Sequence, residues 1–234
     1  MHFDLLSQSI SKELPTTTCV ARFNMAEIIW SLKQTQRQFK KINKSLNVLR
    51  SPFTNEAVAN MVEGYRFIDR LLADGTDLLA MGNSPLVLEV NTLVLCGADS
   101  KKRASFVRHI EQNKEYFYSN EEGGIASLME WKEFHASDNI WKKAAGLYIH
   151  VMSQPQLFIE GNHRSAILMV SFLLAREGYP PFVLTPNNAK ELLDQSKQLS
   201  ELKKHGLRTL ILLPKLRNQL AKTLKSTLEQ RHLI

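Results

Sequence analysis

Residues 154–165 read QPQLFIEGNHRS, and they lead directly into the apolar run AILMVSFLL at residues 166–174. This abrupt change from polar to apolar composition predicts a loop followed by a buried helix. The N-terminus of a helix presents unpaired N–H groups and the positive end of the helix dipole. Gly161 allows close approach of the backbone, and Asn162 and Arg164 add hydrogen-bond donors. The stretch therefore has the make-up of an anion cradle at a helix N-terminus.

Glu160 stands directly before this glycine and offers a hard oxygen ligand where a phosphate-bound Mg2+ would lie. Spacing alone leaves a second interpretation open, because short loops rich in glycine and asparagine are common. On that interpretation the stretch is an ordinary helix start with a solvated glutamate and arginine.

Residues 158–164 resemble the signature of the Fic family, whose pattern reads His-x-Phe-x-Asp/Glu-Gly-Asn-Gly-Arg-x-x-Arg. The resemblance continues through residues 168–169 and the GYPP of residues 178–181. A second match lies upstream, where ANMVEG at residues 59–64 is similar to the Ser/Thr-x-x-x-Glu-Gly/Asn of the family's inhibitory helix. Two motifs in the expected order are more specific than either alone. The resemblance spans roughly residues 54–194 and suits the subgroup with an N-terminal inhibitory helix.

The resemblance implies an all-α, Fic-type helical bundle that transfers AMP from ATP to a hydroxyl group of a target protein, which the sequence does not identify. Glu160 would hold Mg2+, and Arg164 would also serve catalysis by clamping the phosphates. Glu63 and Gly64 would be the inhibitory residues. The residues that would bind the nucleotide phosphates are Gly161, Asn162, His163 and Arg164.

The chain departs from the family pattern at three positions. The catalytic histidine is replaced by Gln156, or by Gln154 if the loop is two residues longer, and an amide cannot act as a general base near neutral pH. His163 replaces the second glycine, and Ile167 replaces the second arginine. Since Ile167 cannot pair with a carboxylate, we expect Glu63 to pair with Arg164 and to occupy part of the cradle.

These departures leave two main hypotheses. The first is a Fic-like protein adenylyltransferase, weak or altered in specificity, because losing a general base costs about 10²–10⁴-fold in rate and positioning supplies much of the rest. The second is a catalytically inactive module that binds a nucleotide or a protein. A nucleic-acid binder ranks well behind both, because the chain has no recognised reader motif and no aromatic platform.

Three regions are predicted along the chain. Residues 1–53 form an N-terminal arm and helix, residues 54–194 form the Fic-like core, and residues 195–234 form basic amphipathic helices. Such helices can bind membranes or partner helices, but packing of their leucines on the core is favoured. Pro214 is expected to kink or divide the last of these helices.

Helix boundaries can be predicted from local signals. Asn24 followed by Glu27 is a capping-box pattern, which predicts a helix from there through Arg50. Pro52 ends that helix, and Thr54 caps the next one.

The segment Tyr116-Phe117-Tyr118 and the later Gly123-Gly124 break the helical pattern. The spacing favours either a short β-hairpin or an ordinary connecting loop. The resemblance implies that a hairpin here would be a flap that docks the target segment by main-chain pairing.

Composition sets outer limits on function. The net charge of +7 and a pI near 9.4 indicate affinity for acidic partners or a solvated basic surface, and the second is favoured. Cys19 and Cys96 have no metal-binding or redox spacing, which favours a reduced, cytoplasmic setting. The longest apolar run, residues 166–175, is too short for a membrane span. A homodimer is left open.

Overall fold

The computed structural model describes residues 22–119 and 122–234. These residues form an all-α protein of about ten helices with no strand among them, which confirms the predicted fold class. The predicted N-terminal arm lies outside the described residues up to residue 21. The helices are α1 (Met25–Lys44), α2 (Asn55–Ala73), α3 (Ser84–Cys96), α4 (Ser100–Ser105), α5 (Val107–Ser119), α6 (Ile125–Phe134), α7 (Ile140–Met152), α8 (Asn162–Arg176), α9 (Ala189–Ser200) and α10 (Leu207–Thr227), followed by a 3-10 turn (Gln230–His232).

Two of the predicted helix starts are confirmed by their capping bonds. The Asn24 side-chain oxygen accepts a hydrogen bond from the Glu27 N–H at 3.4 Å, and Thr54 Oγ1 accepts one from the Ala57 N–H at 3.1 Å. The predicted end of α1 is wrong, because the helix stops at Lys44 rather than running to residue 50. Residues 45–54 form an irregular connection, so Arg50 lies outside α1.

Helix α8 lies at the centre of the protein and packs against α7, α2 and α3. Its apolar side chains from Ala166 to Val170 are almost completely buried. Gly64 of α2 lies directly on Leu168, since a Cβ atom at that position would lie 2.3 Å from Leu168 Cδ1. The close approach of α2 to α8 is the structural reason for a glycine at residue 64.

The C-terminal helix α10 packs on α7 and α9 and buries Leu220 and Leu224. Pro214 lies inside α10 and does not divide it. None of the helices in residues 22–119 and 122–234 is both long enough and apolar enough to cross a lipid bilayer.

Of the two alternatives left open for residues 116–124, the β-hairpin is not found among the described residues. Tyr116, Phe117 and Tyr118 belong to α5, and Phe117 is fully buried against Phe158 with the two rings stacked at 5.3 Å. Gly124 is the N-cap of α6. The aromatic side chains are therefore core residues of a helix, and the glycines mark the turn between two helices.

Candidate functional site

Gly161 sets the geometry at the start of α8. It has φ 75° and ψ 4°, a left-handed conformation that side chains disfavour. A Cβ atom here would also lie 2.9 Å from Asn91 Nδ2 and 3.2 Å from Val94 Cγ2. No side chain caps α8, and the N–H groups of residues 162–164 have no hydrogen-bond partner among the described residues. The helix therefore presents free donors at its N-terminus.

Two buried asparagines hold the loop before α8 in place. Asn91 of α3 donates to the Glu160 carbonyl at 2.8 Å and to Ser165 Oγ at 3.0 Å. Its own Oδ1 accepts from Asn113 Nδ2 of α5 at 2.7 Å, and Asn113 Oδ1 accepts from the Ile159 N–H at 3.0 Å. Both side chains are essentially inaccessible to solvent, so this network fixes the loop against α3 and α5.

Asn162 fixes the same loop from within. Its Oδ1 accepts from the Phe158 N–H at 2.9 Å, and its Nδ2 donates to the Phe158 carbonyl at 2.7 Å and to Gln156 Oε1 at 3.0 Å. Loop atoms take both polar ends of this side chain, although Asn162 also lines the neighbouring cavity, and its assignment as a phosphate-binding residue stays a prediction. What residue 162 can offer an anion is its backbone N–H.

The first turn of α8 opens onto a cavity of about 700 Å³. The cavity lies between this turn, the 45–54 connection and the N-terminal half of α2. Its polar lining residues are Arg50, Ser51, Thr54, Glu56, Asn60, Asn162, His163 and Arg164. Its apolar lining residues include Phe39, Pro52, Phe53, Met61, Leu184 and Leu193.

Two guanidinium groups reach this cavity from different elements. Arg164 of α8 donates one N–H to the Val94 carbonyl at the end of α3, and burial lowers the pKa of its guanidinium from the usual value. Arg50 donates from Nη2 to the Leu193 carbonyl at 2.7 Å and to Ser196 Oγ at 2.8 Å. The Nε atom of Arg50 is buried and has no hydrogen-bond partner.

The imidazole of His163 is a third nitrogen-containing side chain in the cavity lining, beside the two guanidinium groups. Its Nδ1 lies 2.5 Å from the Tyr148 hydroxyl, and its Nε2 is buried without a partner. Burial, followed by the nearby charges of Arg50 and Arg164, lowers the pKa of His163 to about 3. The imidazole is therefore neutral near pH 7. If the tyrosine hydroxyl donates to Nδ1, then Nε2 carries the hydrogen and is a donor.

The two glutamines that the resemblance aligns with the catalytic histidine are both held by hydrogen bonds. Gln154 is exposed, and its Nε2 donates to the Ser200 carbonyl at 3.2 Å. Gln156 donates to the Met152 carbonyl at 3.0 Å and accepts from Asn162. Both side chains hold the loop to its surroundings, and neither lines the cavity.

Glu160 lies on the outside of the loop, with its side chain 65% exposed. Its carboxylate is 3.7 Å from His109 Nε2 and is not part of the cavity lining. A Mg2+ ion usually needs only one or two carboxylates together with phosphate oxygens. The charge of Glu160 acts electrostatically on Arg164, which does line the cavity, and its role as a Mg2+ ligand stays a prediction. Within residues 22–119 and 122–234, no cluster of three or more His, Cys, Asp or Glu side chains could hold a metal.

The predicted pairing of Glu63 with Arg164 is wrong. Glu63 pairs with Arg66 at 2.6 Å along α2 and faces a different surface depression. The acid of α2 that does line the cavity is Glu56, which contacts Lys102 at 2.9 Å and acts electrostatically on Arg164. The two acids are seven positions apart on α2, which is about two helical turns or roughly 10 Å along the helix axis. Glu63 therefore lies beyond the part of α2 that lines the cavity, in a depression that it shares with residues of α1.

Arg50, Asn91 and Asn113 are site residues that the sequence analysis missed. Their partners lie between 22 and 146 positions away in the chain, so no local pattern identifies them. A weak signal exists for the two asparagines, since each is a polar residue within an otherwise helical stretch and Asn91 interrupts a strongly apolar one.

The chain matches no protein-family model, no curated protein and no solved structure. Its resemblance to the Fic family therefore rests on the motif residues themselves.

Proposed function

We propose that this protein is a nucleotide-binding module, and that the cavity at the N-terminus of α8 receives the nucleotide. The observation that carries the proposal is the convergence of four positive or donating groups on one cavity. These are the free N–H groups of the first turn of α8, Arg50, Arg164 and His163. Helix N-termini and guanidinium groups are the usual protein partners of phosphate oxygens.

The phosphate end of the ligand would lie against Gly161 and the first turn of α8. Gly161 brings the backbone close, and the asparagine network holds the loop rigid before any ligand arrives. Arg50 supplies a cation in the same cavity in which Ile167 replaces the family's second arginine. Its unpaired Nε and the unpaired Nε2 of His163 would each gain a partner from a phosphate oxygen.

The apolar part of the cavity wall suits a nucleobase. Phe39 and Phe53 line the cavity with ring centroids 6.0 Å apart, and Met61 and Leu184 line it as well. Apolar and aromatic walls on one side with a few converging polar groups on the other are typical of small-ligand sites, and the volume lies in their usual range of about 300–1,000 Å³.

Binding rather than AMP transfer is the activity that the geometry supports best. A Fic-type reaction needs a general base beside the phosphates, and Gln154 and Gln156 are amides held in other hydrogen bonds. His163 is the nearest alternative base, but its pKa of about 3 makes it a poor proton acceptor at neutral pH. Mg2+ coordination by Glu160 remains a prediction from the resemblance, and no step here depends on it.

The proposal is tested by calorimetry with ATP, ADP, AMP and adenosine, each with and without Mg2+. We expect the three phosphorylated ligands to bind, adenosine to bind at least about tenfold more weakly, and ATP to stabilise the fold by about 2.7 kcal/mol at a hundredfold excess over Kd. Diphosphate and triphosphate should bind comparably, because Ile167 cannot contact the terminal phosphate.

Matched variants locate the site. Arg50→Gln should weaken ATP binding at least about tenfold, because it removes a charge-assisted contact. Arg66→Gln removes the same charge from the outer face of α2 and should leave ATP affinity unchanged. Thermal unfolding without ligand shows whether either variant has lost its fold. If Arg50→Gln is unfolded, His163→Gln serves as the second test variant.

Equal ATP affinity in the parent and all three variants, or no binding of any phosphorylated ligand, would contradict the proposal. Transfer of label from [α-³²P]ATP to proteins of a cell extract would instead support the adenylyltransferase hypothesis.

A further inference from the structure

A second cavity, of about 450 Å³, lies between α6, α7, the turn after α9 and α10. It shares no lining residue with the first cavity. Its walls are mainly apolar and aromatic, and its volume falls within the range of small-ligand sites. Nothing in the Fic-like motif accounts for it.

Trp131 of α6 forms the aromatic wall. Its indole ring lies 5.8 Å from the ring of His150 and 5.2 Å from that of His135, measured between centroids. Gly146 of α7 allows this arrangement, because a Cβ atom there would lie 2.9 Å from Trp131 Cζ2. Phe134 also lines the cavity and is 83% exposed. The walls therefore offer flat surfaces to a planar ligand.

Lys204 brings a single ammonium group into these surroundings. Its backbone is held by a hydrogen bond from its N–H to the Gln154 carbonyl at 2.7 Å, so the residue is fixed in place. Its Nζ is buried and has no hydrogen-bond partner among the described residues. Burial lowers the pKa of Lys204 to about 8, which leaves it largely charged at neutral pH.

The acidic groups near the cavity do not neutralise this charge. Asp138 is already paired with Arg217 and with His135 Nδ1, the latter at 2.8 Å. Glu130 is exposed and makes no ion pair with Lys204. The other titratable residues that line the cavity are His135, His150, His205 and Arg217, none of which supplies negative charge. An unpaired buried ammonium is costly, and a ligand carboxylate would remove that cost.

We propose that this cavity binds a small planar aromatic carboxylate, with its ring against Trp131 and its carboxylate paired with the Lys204 ammonium. The four-carbon stem of the lysine and the indole ring contact the apolar body, and the ammonium selects the charge. A single carboxylate matches a single cation, whereas a polyphosphate would require several.

The test uses 2-naphthoate as the probe and 2-naphthalenemethanol as its uncharged analogue, with the full-length protein. We expect 2-naphthoate to bind with a Kd below about 1 mM and the alcohol to bind at least about tenfold more weakly. Lys204→Met keeps a long apolar side chain and should weaken 2-naphthoate at least about tenfold while leaving the alcohol unchanged. Lys203→Met, at the exposed neighbouring position, is the matched control and should bind like the parent.

Two further readouts place the probe. In NMR spectra the indole N–H signal of Trp131, assigned with Trp131→Phe, should shift on addition of 2-naphthoate. A bound carboxylate raises the pKa of Lys204, so affinity should fall as the pH rises above about 8. Equal affinity for the acid and the alcohol, unchanged 2-naphthoate binding in Lys204→Met, an unmoved Trp131 signal, or displacement of the probe by ATP would each overturn the proposal.

Discussion

The two cavities are both positively charged, but they hold their charge in different ways. In the first, charge is spread over a helix terminus and two guanidinium groups, and both guanidinium groups also make structural hydrogen bonds. In the second, the charge is concentrated on Lys204, whose Nζ makes no hydrogen bond to any of the described residues. The cations of the first cavity therefore help to stabilise the folded protein, whereas the unpaired ammonium of the second cavity destabilises it. Substitutions in the two regions should consequently differ in sign as well as in size.

The largest effect is expected where the support of the first cavity is removed. Asn91→Leu deprives the Glu160 carbonyl, Ser165 and Asn113 of a buried partner, and it should lower the free energy of unfolding by at least about 3 kcal/mol. Nucleotide binding should be lost with it, because the loop before α8 is no longer held. Chemical denaturation measures the first effect and calorimetry the second.

Thr92→Val is the matched control for this change. Thr92 lies next to Asn91 and is also buried, but its Oγ1 bonds to Leu88 within the same helix at 3.1 Å. We expect a loss of about 1 kcal/mol or less and normal ligand binding. If Asn91→Leu and Thr92→Val lower the free energy of unfolding by the same amount, the asparagine network does not stabilise this region more than an ordinary buried hydrogen bond does.

Removing one cation from each cavity should change stability in opposite directions. Arg164→Met leaves the Val94 carbonyl without its guanidinium donor and should destabilise the protein by about 1–3 kcal/mol. Lys204→Met removes an unpaired buried charge and should stabilise it by about 1–2 kcal/mol. Thermal and denaturant unfolding of the two variants at pH 7 provide the comparison. A destabilised Lys204→Met would mean that the ammonium has a partner in solution and that the contrast between the cavities is false.

His163 should make the first cavity sensitive to acid. The unfolded chain protonates this histidine near pH 6.5, whereas in the folded protein it does so near pH 3. The free energy of unfolding therefore falls as the pH falls across this window, by about 1.4 kcal/mol per pH unit from this residue. His163→Gln should reduce the slope by that amount between pH 6 and pH 4. Burial also lowers the pKa values of His150 and His232, and both residues are unchanged in the variant, so the difference isolates His163. Parallel stability curves for parent and variant would mean that His163 titrates normally.

Local patterns in the sequence predicted much of the fold but only part of the site. Capping residues such as Asn24 and Thr54 act over one helical turn, and the apolar run after Arg164 is long enough to identify a buried helix. These signals depend on neighbours in the chain, and the structure bears them out. Phe117 was misread because its partner, Phe158, is 41 positions away and its own surroundings are polar.

The site residues also divide into those set by local sequence and those set by contacts with distant parts of the chain. Gly161 could be identified because a left-handed helix start needs a glycine, which is a local requirement. Arg50 could not, because its position in the cavity depends on contacts with α9. Glu63 was assigned from the resemblance against its own helical periodicity, which places it outside the buried stripe of α2, and the periodicity was the better guide.

The smallest expected effect concerns which acid of α2 opposes an anion in the first cavity. Glu56 lines that cavity and Glu63 does not, so Glu56→Gln should raise the affinity for ATP while Glu63→Gln should leave it unchanged. The gain should be about two- to threefold, or roughly 0.5 kcal/mol, because Glu56 is exposed and already paired with Lys102. It should shrink as salt is raised, since exposed charges are screened. Calorimetric titrations at low and high salt measure both trends, and unfolding curves check that loss of the acid from the first turn of α2 has not loosened the helix. A gain in affinity with Glu63→Gln and none with Glu56→Gln would restore the inhibitory role of residue 63 and would mean that α2 turns toward the site when a nucleotide binds.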